Sequence, residues 1–443
     1  MCSKVILRPP LVLGLLLATV LLGLYFSGSI SSWSPMGNSF AYDQYSLPRC
    51  GLAIRFGTNP FTSTADYPQY GHFAVHWVSQ PMLCVLAGVP LSYLSPQLEL
   101  LFTTVFYWSI HLWILVVFGT RLSSNSGAVT RFRVRDWFVR DYVMFACLGF
   151  FFPWYVLYVL GQYHALAVLA FALALSCESR LVSGFALSAI GKPVLAPAAL
   201  VLLVAKKWQV FFKLLLICMA CYLPWFFLRY DVGRGLFFGW NESFLTFFEL
   251  SSMLTKFSVV GWNQEMGWSK VFDEFSSPAN HYPLRMFLAL IPVLYAVLLA
   301  WQKKFHLALG VSVLWFFFLY GRGHEYHVTL YLPLLAFMYC EESGRYRNGW
   351  TVVLAFLAAS PTVFPLILKI YEFPNAKLAS NDAMRNANPF LYWLFLLHKP
   401  ILAPLLLARI FYVESASSFV VLMKKSFNSS LLLKISRRQS LSR

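Results

Sequence analysis

Residues 181–205 read LVSGFALSAIGKPVLAPAALVLLVA, followed at once by Lys206-Lys207. The stretch is apolar almost throughout, yet Gly191-Lys192-Pro193 interrupts it near its middle. Proline removes a backbone donor, so a helix running in from either side is expected to break there. Broken helices are tolerated inside a membrane protein where they line a protein cavity rather than lipid. The reading is therefore a segment that goes out and returns, with Lys206-Lys207 back on the side where it began.

The rest of the chain makes that reading necessary. Of 443 residues, 59% are hydrophobic and only 12% charged, whereas soluble domains carry roughly 25% charged residues. Apolar runs of about 18–24 residues recur, the length that crosses a bilayer core. The fold class expected is an all-α integral membrane protein, a polytopic helical bundle. The net charge of +17 does not point to nucleic acid. The basic residues fall in short loops and at the C-terminus, where they orient helices and touch anionic lipid. Leu11–Phe26 follows Lys4 and Arg8 and has the look of a signal peptide without a small-residue cleavage site, so it reads as an uncleaved first helix. The eight cysteines are scattered, mostly within apolar runs, and imply neither a disulfide framework nor a metal cluster.

Positive charge places the loops. Arg121, Arg131, Arg133, Arg135 and Arg140 share one loop; Lys206-Lys207, Lys303-Lys304, Arg345, Arg347 and the tail add to the same side. With all of these in the cytoplasm, the other face takes a long first outer loop (28–97), Gly161–His164, a large aromatic loop (229–282), Gly321–His327 and Glu372–Pro389. Val75–Leu94 then cannot be an ordinary crossing and reads as re-entrant or surface-lying, interrupted by Pro81 and Pro90. The count becomes about 12 transmembrane helices, an estimate from run length and charge. Residues 1–413 form a single transmembrane domain, and 414–443 a basic cytoplasmic tail with the character of a surface helix.

The unusual polar residues gather on the outer face: Asp43, Gln162 with His164, Lys192, and His324-Glu325-Tyr326-His327. Ionisable groups embedded in a membrane are costly and tend to be functional. Asp43 is one of only two acids before Glu99 and could take a proton from an acceptor hydroxyl; the bland alternative is pairing with Arg49 or Arg55. Gly161-Gln162-Tyr163-His164 could equally be a helix-turn-helix corner. Lys192 lies too deep in its run to snorkel comfortably and would suit an anion such as a lipid phosphate. His324 and His327, with Arg322, could grip a phosphate, or belong to a solvated loop. Their spacing also fits a metal-ligand pair, but no third ligand set is evident. Trp240, Trp262 and Trp268 mark an interface or stack on sugar.

Four of these stretches resemble the GT-C superfamily of polyprenyl-phosphate-sugar-dependent glycosyltransferases, and within it glycosyltransferase family 87, the α-mannosyltransferases. They are Tyr42-Asp43 with Gly57-Thr58-Asn59-Pro60-Phe61; Gly161-Gln162-Tyr163-His164-Ala165-Leu166; Ser183-Gly184 through Gly191-Lys192-Pro193 to Lys206-Lys207-Trp208; and His324–His327 before Leu332-Pro333-Leu334-Leu335. His164 stands where Asn is usual, and Gln80-Pro81-Met82-Leu83 only approaches the family's Tyr-Pro-Pro-Leu. The resemblance spans about residues 10–340 and does not reach the final hundred.

The resemblance implies Asp43 as catalytic base. It implies Lys192, His327 and, less closely, His324 on the donor side, with Gln162 near the same cavity; Arg322 and His164 join them as substrate-side candidates. The implied activity moves a sugar, mannose first, from a polyprenyl-phosphate donor to a lipid- or glycan-linked acceptor on the non-cytoplasmic face, with inversion. No cofactor and no divalent metal are expected, and the partners are the lipid-linked sugar, its acceptor and membrane lipid. A bacterial inner membrane is the expected location, with the endoplasmic reticulum the alternative. Rival readings are a transporter or flippase of a lipid-linked or anionic substrate, which explains the broken helix as well, and a polysaccharide polymerase or ligase.

Overall fold

The computed structural model describes residues 8–27, 46–56, 81–122, 137–160, 163–231, 235–238, 268–275, 278–319, 325–341, 343–361 and 388–416. Asp43, Gln162, Arg322 and His324 lie outside them, as do most of the first outer loop and the tail beyond residue 416.

The described chain is helical apart from one small ribbon. The helices are α1 (Pro9–Phe26), α2 (Ser46–Arg55), a three-part α3 (Pro81–Leu83, the wider π turn Cys84–Gly88, and Val89–Leu91), α4 (Pro96–Gly119), α5 (Val139–Gly149) and α6 (Phe152–Leu160). Then come α7 (His164–Ser176), α8 (Leu181–Ile190), α9 (Ala198–Val204) and α10 (Trp208–Phe227). After the large loop follow α11 (Trp268–Asp273), α12 (Pro278–Trp301), α13 (Phe305–Ser312) and α14 (Trp315–Leu319). A 3-10 helix (Glu325–Leu330) leads into α15 (Tyr331–Tyr339), and α16 (Gly349–Ala359), α17 (Pro389–His398) and α18 (Leu402–Ala416) complete the set. The ribbon is β1 (Leu228–Asp231) antiparallel to β2 (Gly235–Phe238), inside the large aromatic loop.

Four helical stretches are long and apolar enough to cross a bilayer: Pro9–Phe26, Pro96–Gly119, Val139–Val159 and Asn280–Trp301. The pair Tyr392–His398 and Leu402–Ala416, bent by 53°, would make a fifth. Their outer faces are apolar as well. On α12, Phe287, Leu290, Leu294 and Leu298 are exposed, while Ala289, Val293 and Ala296 are buried. A contiguous apolar surface of this kind needs lipid to cover it. This is a helical membrane protein. The expected count of about 12 rests on the shorter apolar helices, such as His164–Ser176, Trp208–Cys221, Phe305–Leu319 and Gly349–Ala359.

Where helices approach closely, small residues permit it. A Cβ on Gly149 would lie 2.2 Å from the Gly14 carbonyl oxygen, so α1 and α5 touch backbone to backbone. Such close approach is how membrane helices gain dispersion energy when lipid supplies no hydrophobic drive.

The interrupted stretch folds back as its sequence implies. Glu178, before α8, pairs with Lys207, after α9, at 2.7 Å, and this contact holds the Glu178 carboxyl below its ordinary range. Arg121 donates to the Ser176 carbonyl on the same side. Lys192, between α8 and α9, therefore sits at the opposite end. At ten and seven residues, α8 and α9 measure about 15 and 10 Å, too short to cross a core of about 30 Å. The unwound turn is stabilised by side chains. Ser188 Oγ donates to the Lys192 carbonyl at 2.9 Å and accepts from Leu195 N at 3.2 Å, and Trp315 Nε1 donates to the Val194 carbonyl at 3.1 Å. Buried backbone groups released by a break need such partners.

Of Val75–Leu94, the described part contains the short α3 (Pro81–Leu91), which packs on α2. The cysteine expectation needs correction. Cys50 of α2 is disulfide-bonded to Cys84 of α3, whereas Cys147, Cys177, Cys218, Cys221 and Cys340 are free thiols. The partners lie 34 residues apart across a loop, and only the packing of Gly51 against Gly88, whose backbones all but touch, brings them together.

Two charge networks close the end of the bundle that carries Arg345 and Arg347. Asp141, fully buried at the start of α5, accepts from Arg347 Nη2 at 2.6 Å and Nε at 2.9 Å, from Tyr339 Oη at 2.7 Å, and from Phe138 N at 3.0 Å. Glu414 of α18 pairs with Lys304, with Arg345 at 3.1 Å, and with Tyr346 Oη at 2.7 Å. The last helix thus continues through the expected boundary at residue 414, with Glu414 buried against the bundle.

Candidate functional site

Three separate segments bring Lys192, His164 and His327 together. His164 is the first residue of α7, and nothing of its side chain is exposed. His327 lies in the 3-10 helix before α15 and is 2% exposed. Their ring centroids are 4.9 Å apart, edge to face. The Lys192 Nζ sits 5.5 Å from the Tyr163 ring centroid and 5.4 Å from that of Tyr326, a cation over two aromatic faces. Tyr326 in turn lies 4.2 Å from His327 and 5.6 Å from His164 between centroids. Phe316 of α14 closes the group, 5.3 Å from His327.

Each position has a local cause. His164 is carried inward because α7 starts immediately after the turn at Tyr163. Lys192 is delivered by the break between α8 and α9. Glu325, Tyr326 and His327 are all buried, so the solvated-loop reading of this stretch does not hold. Neither ring nitrogen of His164 has a hydrogen-bond partner of good geometry. One ammonium and two imidazoles converging in apolar surroundings can stabilise an anion.

A cover lies against the group. Leu47 and Cys50 of α2, with Leu83 and Cys84 of α3, pack with Tyr163, and Leu166 and Ile190 join them. Arg55, offered above as a partner for Asp43, donates to the Ser92 carbonyl at 2.9 Å and stands 3.7 Å over the Tyr93 ring. Among the described residues no three His, Cys, Asp or Glu side chains are grouped to hold a metal ion.

Two residues of the region were missed from sequence. Glu99, fully buried in the first turn of α4, accepts from Thr103 Oγ1 at 3.1 Å; Tyr107 lies within electrostatic reach of both Glu99 and Tyr163. A lone acid in a membrane-length helix was the available signal. Lys399, 3% exposed between α17 and α18, is the other. Its signal, a lysine within an apolar stretch like that of Lys192, was present but fell where no resemblance reached.

No protein-family model matches this chain, and neither a curated protein nor a solved structure matches it.

Proposed function

We propose that the chain is a membrane glycosyltransferase, a mannosyltransferase first, that uses a polyprenyl-phosphate-linked sugar on the non-cytoplasmic face. The observation that carries the reading is the convergence of Lys192, His164 and His327 at the broken end of α8. The resemblance implies Lys192 and His327 on the donor side, and His164 is a substrate-side candidate.

The chemistry follows from that placement. The donor's lipid tail enters between helices and its phosphate meets the Lys192 group. Asp43, which lies outside the described residues, takes the proton of the acceptor hydroxyl. The acceptor oxygen bonds to the anomeric carbon from the opposite face as the carbon–oxygen bond to phosphate breaks. The electron pair leaves on the phosphate, where the Lys192 ammonium stabilises it. The configuration inverts in a single displacement, unlike the two-carboxylate scheme of glycoside hydrolysis. No divalent metal is required by this scheme, since phosphate already leaves well. Arg322, His324 and Gln162 are proposed on the same side. The bundle is proposed to comprise about 12 crossings, by run length and charge, in a bacterial inner membrane or, alternatively, the endoplasmic reticulum.

A transporter of a lipid-linked anion is the second reading, favoured by the short broken pair α8–α9. One assay separates them. Radiolabelled polyprenyl-phosphate-mannose and a membrane-lipid extract are supplied to the wild type and to Asp43→Asn in nanodiscs. Transfer by the wild type, reduced by roughly 10²–10⁴ in a folded variant, is expected of a general base. Full activity in Asp43→Asn would sink the base assignment. Donor movement across the bilayer without transfer by either protein would put the transporter ahead.

A further inference from the structure

Lys399 connects the C-terminal helices to the candidate site. Its Nζ donates to the carbonyls of Leu357 at 3.0 Å, Ala358 at 2.9 Å, and Ser360. These groups end α16, where carbonyls lack helical partners and the helix dipole favours a cation. An ammonium has three donors, and this cap uses all of them. The cap does not neutralise the charge, and a buried ammonium is costly without a counter-ion. The nearby carboxylate is Glu325, with Oε1 at 3.9 Å.

Glu325 opens the 3-10 helix in which Tyr326 and His327 follow directly. Those two side chains form the wall that faces Lys192 and His164. The break that presents Lys399 is itself pinned, because Trp268 Nε1 donates to the Pro400 carbonyl at 3.1 Å and the Trp268 ring stacks on Phe318. A continuous line of contacts therefore runs from the last helices to the anion-binding wall.

We propose that the Lys399–Glu325 pair is the positioning device of that wall: Lys399, held by the end of α16, fixes the first turn of the 3-10 helix so that Tyr326 and His327 face Lys192. The inference rests on the reading of the Lys192 group as a lipid-phosphate site. A plain helix cap would need Lys399 but would be indifferent to Glu325.

That difference defines the test. Affinity for a polyprenyl monophosphate is measured with the full chain in nanodiscs, for the wild type, Lys192→Met, Glu325→Gln, Lys399→Met, Lys399→Arg and the double variant Glu325→Gln/Lys399→Met. Glu325→Gln leaves all three capping bonds in place, so it remains informative if Lys399→Met does not fold. Expected is a loss of about tenfold for Glu325→Gln, the scale of a slight misplacement. Lys399→Met should weaken binding at least as much, Lys399→Arg should retain it, and the double variant should be no weaker than the worse single one, as coupled residues behave. Wild-type affinity in Glu325→Gln, or fully additive losses, would overturn the positioning role while binding still depended on Lys192. Wild-type binding that ignored Lys192→Met, or no binding at all, would instead remove the phosphate-site reading and this inference with it.

Discussion

The ammonium of Lys192 lies over the rings of Tyr163 and Tyr326, each about equally distant. Aromatic faces offer a cation favourable electrostatics without a permanent negative charge. Lys192→Met should therefore lower transfer by on the order of 10²–10³, the usual cost of removing one preorganised transition-state contact. Lys192→Arg should keep part of the activity, because guanidinium also stacks on aromatic rings. Steady-state transfer rates on folded protein check this, and a Lys192→Met variant with wild-type turnover would remove Lys192 from the chemistry. His164 marks a limit of reading by residue type. At the motif position where the resembled family has Asn, its burial against His327 and Phe316 depends on packing that the motif does not encode.

The helices use charge in two different ways at the end that carries Glu178 and Arg347. The Glu178–Lys207 pair that closes the α8–α9 excursion is substantially exposed on both partners, and exposed pairs contribute below about 1 kcal/mol. Asp141 is fully buried and holds Arg347, Tyr339 and the first turn of α5 together. Breaking a buried pair by removing one partner leaves an uncompensated charge, at a cost of about 3–5 kcal/mol. Arg347→Met should accordingly lower the thermal midpoint in detergent strongly, and Glu178→Gln only slightly. Equal shifts in the two variants would contradict this ranking. The α8–α9 break itself was legible, because proline and glycine around a lysine announce a helix that cannot continue. The residues that stabilise it, Ser188 and Trp315, were not legible: a serine in an apolar run and a tryptophan 121 residues away from its acceptor carry no local signal.

For the molecule as a whole, sidedness has two independent supports. Positive charge assigns the loops containing Arg121, Lys207 and Lys303 to the cytoplasm. The Cys50–Cys84 bond lies at the opposite end, against Tyr163 and Ile190, and disulfides persist in oxidising compartments. Phe56→Cys, at an exposed position just after α2, should react with a membrane-impermeant maleimide from outside intact cells. Cys177, free and beside Glu178, should react only after permeabilisation. Labelling of both from one side would overturn the topology.

Composition and the spacing of apolar runs along the chain were enough to determine a helical membrane protein and the interruptions near Pro81 and Gly191-Lys192-Pro193. Those features depend on local physics: apolar length against bilayer thickness, and the backbone limits of proline and glycine. The meeting of Lys192 with His164 and His327, the Cys50–Cys84 bond, and the Lys399–Glu325 pair were decided only by the tertiary structure. Each joins residues far apart in the chain, and such proximity depends on how whole helices pack, which no single segment encodes.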